Sequence, residues 1–373
     1  MYNRRKFIFD LSKGAAFMAL SSTHIACSPP QAEEAFIDRL LPAPVGGGFE
    51  MEEYWVWGSS VVKGEDGLYH MFASRWAKEI GFGKWVSNSE IVRAVSPTPE
   101  GPYEFQEVVL PMRGREYFDG LVTHNPRIIK YGKYYLLYYM GTSYDFPIPE
   151  SDENIWADYR AEEAWMNKRI GMAYSESVKG PWKRMDNPVL EPRPGKWDAS
   201  ITSNPSPVLN EKTGEILLIY KSSTDGLTPP LLLGSSLAAS MEGPYKRISE
   251  EPIFSFDTSE TNENDVEDPF VWWVDDHYEL IMKDRYGHIC GERGGGLHAF
   301  SADGVHWELA PKPLAYSKNI LWDDGRTIHH NHFERPSLLI EDGVPTHLFA
   351  ATGLGPKEWS FTKTWNMVIP LRS

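Results

Sequence analysis

The sequence predicts an all-β protein built from five similar antiparallel sheets, and three observations carry that prediction. A strand–turn–strand unit recurs five times, Gly and Pro punctuate the chain every few residues, and aromatic side chains are abundant. The 373 residues include 31 Gly and 28 Pro, which interrupt helices, and 14 Trp and 18 Tyr, which favour pleated strands. With 41% hydrophobic and 13% aromatic residues the chain can bury a large core, which excludes a disordered protein. Lys and Arg number 37 against 52 Asp and Glu, a net charge of -15, so a sequence-independent grip on nucleic acid is disfavoured.

Each repeat begins with a polar lead-in, meets a Pro or Ser, runs along a strand, turns, and enters a second aromatic strand. The five starts are Gly58-Ser59-Ser60, Asn125-Pro126, Asn204-Pro205, Asp268-Pro269 and Arg335-Pro336. The turns fall at Gly64-Glu65-Asp66-Gly67, Gly132, Thr213-Gly214, Asp275-Asp276 and Asp342-Gly343. Third and outer strands follow around Gly101-Pro102-Tyr103, Gly180-Pro181-Trp182, Gly243-Pro244-Tyr245 and Gly304-Val305-His306-Trp307. Radial sheets around one axis leave only short, protected edges, so the natural closure is a five-bladed β-propeller spanning 51–373. Two stacked sandwiches would not explain why every copy restarts after a polar lead-in. The last copy ends without an outer strand, so residues from about 34 to 56 are expected to complete the ring. A helical insertion is expected in blade two over Asn154–Lys168, where Trp156, Tyr159, Ala164 and Trp165 fall at helical spacing. It sits where it can cap the mouth of the ring.

Residues 1–26 read as an export signal. Arg4-Arg5-Lys6 precedes a short apolar run ending at Ile25-Ala26, and the Arg pair resembles a twin-arginine signal. Cys27 resembles a lipoprotein acceptor cysteine, so the mature protein is expected to be exported and lipid-anchored to a membrane, with 27–50 as linker and lead-in to the ring. The remaining Cys290 then has no partner for a disulfide and reads as a small buried hydrophobe.

In a propeller the starts of the innermost strands meet near the axis, so the polar lead-ins converge. They bring Asp119, His124 and Asn125, then Asp198 and Asn204, then Asp268, then His329, His330, His332, Glu334 and Arg335 into one funnel. Crowded carboxylates in a partly dry site push pKa values apart, which is how a site obtains both an acid and a base. Asp268 and Glu334, each beside a Pro within apolar runs, are the strongest catalytic candidates, followed by Asp119, His332 and His330. Period two puts His330 and His332 on one face of a strand and leaves His329 structural. Arg75, Lys221, Lys283 and Arg285 recur near the ends of second strands and suit recognition of a carboxylate or sulfate. Trp57, with Trp76 and Trp85, offers sugar-stacking faces. No zinc signature is present and no cofactor is required, although oxygen ligands suffice for a structural calcium.

Five blades with acidic inner-strand starts resemble the carbohydrate-active propellers of glycoside hydrolase families 43 and 117. That resemblance implies an oligosaccharide substrate and a base Asp, a pKa-modulating Asp and an acid Glu on different blades. Asp268 and Glu334 are the positional matches. Trp57-Gly58-Ser59-Ser60 departs from the Asp-Pro usual in the first blade of family 43, so Asp119 or a histidine would have to serve as base. Family 117 is similar in giving a His an acid role. The expected activity is exo-acting glycoside hydrolysis of plant or algal oligosaccharides. A lyase or dehydratase acting on a terminal uronic acid is the alternative, and a non-catalytic sugar-binding lipoprotein is the third reading.

Overall fold

A computed structural model describes residues 34–151, 153–227, 230–254 and 266–372. It contains five four-stranded antiparallel sheets, each an expected repeat. Blade 1 runs through Tyr54–Lys63, Tyr69–Ala77, Glu90–Ser96 and Glu104–Leu110 from axis to rim. The inner strands of blades 2 to 5 are Val122–Tyr131, Ser203–Leu209, Val266–Val274 and Glu334–Glu341. Blade 5 supplies three strands of its own, and Phe49–Glu50 adds the fourth by pairing antiparallel with Trp365 and Asn366. The N-terminal segment therefore closes the ring on the outer edge of the last blade. No helix among the described residues is long and apolar enough to cross a membrane.

Strand alternation sends one set of side chains to each face of a blade, and neighbouring blades bury these faces against each other. Five apolar clusters result, one per blade junction. Val61, Met71 and Val92 of blade 1 meet Leu339, Phe349 and Val368 of blade 5, while Trp272 and Ile281 of blade 4 meet Leu338 and Leu348. The other junctions are filled in the same way.

The expected insertion in blade 2 is present as a helical turn, Ile155–Ala157, and a helix, Tyr159–Met166, whose first turn is capped by the Asp158 carboxylate. Blade 1 carries a second insertion that the sequence did not announce: short helical turns at Lys78–Ile80, Phe82–Lys84 and Trp85–Asn88. A small hairpin, Asn319–Leu321 with Thr327–His329, joins blade 4 to blade 5. The strand ends at His329, so period two does not extend through His330 and His332, and the two rings face different surroundings.

All five inner strands are bulged at the same place. Register shifts at Trp57/Ser59, His124/Arg127, Ser203/Ser206, Glu267/Phe270 and Glu334/Ser337. At each bulge one residue takes a left-handed backbone: Gly58, Asn125, Asn204, Asp268 and Arg335, with φ from 49 to 59°. Asn and Asp tolerate this region better than most side chains, and Gly58 leaves room where a Cβ would sit 3.2 Å from Arg335 Cγ and Asn125 Oδ1. These five residues meet on the axis. Asn125 Nδ2 donates to Asn204 Oδ1 (3.2 Å), and Asn204 Nδ2 donates to Asp268 Oδ1 (2.9 Å). The Arg335 backbone N–H donates to Asp268 Oδ2 (3.1 Å) while its guanidinium lies 2.5 Å from Oδ1. Beneath them Arg127 donates to the carbonyls of Ser59 (2.9 Å) and Pro336 (2.7 Å), tying blade 2 to blades 1 and 5.

Removing the Asp268 carboxylate strands a buried guanidinium and two donors. Asp268→Ala is expected to lower unfolding stability by about 3–5 kcal/mol, read by urea denaturation.

Candidate active site

The residue just before the left-handed position points away from the axial ring into the mouth of the funnel in four blades, whereas Ser203 of blade 3 donates to Asn204 Oδ1 (2.9 Å). In chain order the five residues are Trp57, His124, Ser203, Glu267 and Glu334. Four of them line a cavity of about 550 Å³. Its floor is charged, with Glu267, Glu334, Lys221, Arg285 and Arg335, and its walls are aromatic. Trp76 comes from blade 1, Phe82 and Trp85 from the blade 1 insertion, Trp156 and Trp165 from the blade 2 insertion, and Trp359 from blade 5. The two insertions thus raise a wall over one side of the funnel, as expected for that of blade 2.

The floor is a compact ionic network. Lys283 Nζ lies 2.6 Å from Glu334 Oε1 and 3.4 Å from Glu267 Oε1, bridging the two carboxylates. Lys221 Nζ donates to Glu267 Oε2 at 3.0 Å, and Arg285 reaches the same carboxylate at 3.5 Å. His332 Nδ1 lies 3.2 Å from Glu334 Oε1, and its ring packs 4.0 Å from Trp359. Burial alone would raise both glutamates. The surrounding cations more than offset it, holding Glu267 well below the usual carboxylate range and Glu334 at about 2. Asp268 differs: burial, together with the charges of Glu267 and Glu334, pushes it up despite Arg335.

Glu267, Asp268 and Glu334 bring carboxylate oxygens within 4.8 Å of one another. Lys221, Lys283, Arg285 and Arg335 already contact these carboxylates, so the cluster does not fit the structural calcium that the sequence allowed.

His124 occupies the wall contributed by blade 2. Its Nδ1 is 2.7 Å from Ser89 Oγ and its ring stacks on Trp85 at 5.1 Å, leaving Nε2 as the ring nitrogen without a partner among the described residues. Burial and the charges of Arg335, Lys168 and Lys221 hold its pKa well below 6.5, so the imidazole is neutral.

The structure thus gathers Trp57, His124, Glu334, Arg335, Arg285, Lys283 and His332 at or directly behind the cavity. Other sequence candidates lie elsewhere. Asp268, Asn125 and Asn204 belong to the axial ring below the floor. Asp119 is fully buried on the flank of blade 2, where Arg113 (2.7 Å) and Tyr139 OH (2.7 Å) hold its carboxylate and Arg184 lies 3.5 Å away. Asp198 repeats this brace in blade 3 with Arg193, Arg247 and Tyr220. Both are internal ion pairs that fasten a loop to its own blade. Arg75 pairs with Glu90 (2.9 Å) and lies over Tyr54 and Phe105, away from the funnel. His330 is buried in a separate cleft on the flank of blade 5, with Trp322, Trp365 and Lys363, and its Nδ1 bonds Thr352 Oγ1 (2.9 Å). Cys290 is half-buried with its thiol pushed up to about 12, so it is an inert thiol at neutral pH. Cys27 and the export signal lie outside the described residues.

Glu267 is the residue that the sequence reading passed over. Aligning the repeats on their prolines would have found it. Glu267 stands two before Pro269 as Glu334 stands two before Pro336, and Asp268 is the counterpart of Arg335 rather than of Glu334.

The sequence matches no protein-family model and no curated protein. The fold is similar to solved glycoside hydrolases across nearly its whole length. A family 117 glycoside hydrolase from the marine bacterium Zobellia galactanivorans superposes with a TM-score of 0.64 at 14% identity, covering 89% of each chain. A thermostable family-43 glycoside hydrolase gives 0.56 at 14% identity over 86% of this chain and 93% of that one. An endo-arabinase from Bacteroides thetaiotaomicron gives 0.54 at 12% identity, covering 88% and 98%. The chain therefore has the five-bladed propeller architecture that these enzymes share.

Burial and the neighbouring His329 lower His330 to about 4. An unfolded chain takes up a proton below pH 6.5 that the folded chain refuses until about pH 4, so this stability is full above 6.5 and lost on acidification. Stability is expected to fall by about 3 kcal/mol between pH 7 and pH 4 from this group alone. His124 acts in the same direction. Denaturation curves across that range should flatten in His330→Asn.

Proposed function

We propose that the protein is an exo-acting glycoside hydrolase that removes the terminal sugar of an anionic oligosaccharide of plant or algal origin. One observation carries the reading. A pair of buried glutamates, supplied by equivalent positions of adjacent blades, lies on the floor of a tryptophan-walled cavity of sugar size. The walls built by the two insertions favour the end of a chain over its middle.

In this reading Glu267 remains a carboxylate, because Lys221, Lys283 and Arg285 surround it. Glu334 is the acid. In the empty cavity Lys283 keeps it ionised, so protonation requires that ammonium to be drawn elsewhere. A substrate carboxylate or sulfate that draws Lys221 off Glu267 leaves Glu267 to take Lys283 from Glu334, and its own negative charge raises Glu334 further. His332, in contact with Glu334, can deliver the proton. Glu334 then protonates the glycosidic oxygen as the C–O bond breaks and Glu267 attacks the anomeric carbon; a water that gives its proton back to Glu334 then displaces the sugar from Glu267. The substrate's charge thus switches on the acid, and neutral sugars leave it off.

The neutral His124 favours a second reading. Its free Nε2 could take the proton beside the carboxylate of a terminal uronic acid, with lysines holding that carboxylate, as in a lyase or dehydratase. A panel of neutral, uronate-ended and sulfated oligosaccharides separates the two. Free sugar without a new unsaturated-uronate absorbance supports hydrolysis, whereas that absorbance without chain shortening supports elimination. Glu267→Gln and Glu334→Gln are each expected to cut kcat by about 10²–10⁴. Asp119→Asn should lower stability and leave kcat within a fewfold of the native value. Full activity in both glutamine variants would sink the site.

Export and acylation of Cys27 complete the proposal, supported by the basic, apolar and small-residue order of residues 1–26. In cells of the native host, Cys27→Ser is expected to shift the protein from the membrane fraction to the soluble one.

A further inference from the structure

Lys168 follows the blade 2 helix and is 1% exposed. No carboxylate among the described residues lies within ion-pairing distance of its ammonium, which forms no hydrogen bond with any of them. The nitrogen lies instead over the indoles of Trp165 (2.8 Å to the ring centre) and Trp85 (5.3 Å), both of which line the cavity. Burial, then the charges of Lys221 and Arg335, hold its pKa well below 10.5, so an anion beside it is what would restore the full ammonium. Lys221 and Arg335 repel it, Glu267 is already shared with Lys221, Lys283 and Arg285, and His124 is neutral. Among the described residues, Lys168, Lys221, Lys283 and Arg335 therefore face only Glu267, Asp268 and Glu334, on a chain whose net charge is -15.

A buried lysine without a counter-ion is costly, and Met could fill the same space between the tryptophans. Such a cost is retained where a ligand supplies the missing charge. We infer that Lys168 is a specificity-determining residue whose ammonium, together with Lys221 and the His124 edge, binds the anionic group of the terminal sugar beneath Trp85 and Trp165. The chemistry is that of an oxyanion on a pyranose or furanose ring, whether carboxylate or sulfate ester. This deepens the proposed function by locating the anion at Lys221 and on the blade 2 side of the cavity, beside the glutamate pair. It rests on that reading only for the identity of the ligand as a sugar.

The test is equilibrium binding, followed by tryptophan fluorescence, of galacturonate, galactose 6-sulfate and galactose to the folded chain. The native protein is expected to prefer at least one of the two anions over galactose by about 10- to 100-fold. Which of the two it prefers distinguishes uronate from sulfate. Lys168→Met should lose that preference while its melting temperature rises by about 1–3 °C, and Lys168→Arg should keep most of it. A purely structural lysine would give the opposite pattern, a lower melting temperature with selectivity intact, and that result overturns the inference. So does equal affinity of the native chain for all three probes, a measurement that needs no variant. Binding requires no turnover, so anion selectivity in a protein that cleaves no glycoside would remove the hydrolase reading and leave the role of Lys168 standing.

Discussion

The structure depends on a ring of five left-handed residues around one axis. Each inner strand bulges there, at the same place in its ladder. The extra residue in each strand turns its own side chain inward and its predecessor's upward. Asn125, Asn204, Asp268 and Arg335 therefore share a hydrogen-bonded and ionic contact that fastens the blades together, and Gly58 leaves room for it. The same twist aims His124, Glu267 and Glu334 into the cavity. Axial cohesion and site geometry are one feature, so a residue's place relative to the bulge decides whether it supports the fold or faces a ligand.

Electrostatics in the funnel run against the rest of the molecule. The chain is acidic, yet among the described residues the cavity floor holds more cations than carboxylates, and several of them are buried. Low local dielectric makes such an arrangement expensive unless charges are paired, and the lysines that contact Glu267 and Glu334 are paired. The surplus is confined to the wall between blades 2 and 3. An excess of one sign at the bottom of an apolar-walled cavity also focuses the field there, which favours anions inside the cavity against the repulsion of the outer surface.

The aromatic wall has a different origin. It is built largely from segments outside the repeats: the helical turns after the second strand of blade 1 and the helix in blade 2. Trp85, Trp156 and Trp165 pack on one another and Trp85 stacks on His124, while Phe82 packs against Trp57, Trp76 and Phe361. Their mutual packing holds these short insertions in place, since a helix of eight residues or fewer has little stability alone. A repetitive scaffold thus carries its recognition surface on additions, as loop-borne sites commonly do.

Much of this was legible in the residue order. The five Pro or Ser restarts, the turn glycines and the aromatic second strands determine a five-bladed ring, because period-two patterning and turn chemistry are local properties that survive without a fold. The blade 2 helix was legible for the same reason, as was the grouping of lead-ins at the axis. What the order of residues left undecided was which member of each lead-in faces the cavity. Asp268 and Glu267 are neighbours with the same charge, and only the bulge assigns one to the axial ring and the other to the floor. Asp119 looked like a funnel residue until Arg113 and Arg184, brought in from a loop and an outer strand, claimed it. His330 and His332 parted because the strand stops at His329. Lys168 carried no motif at all: its meaning lies in the absence of a nearby carboxylate among the described residues, a property of three-dimensional distance that no spacing along the chain records.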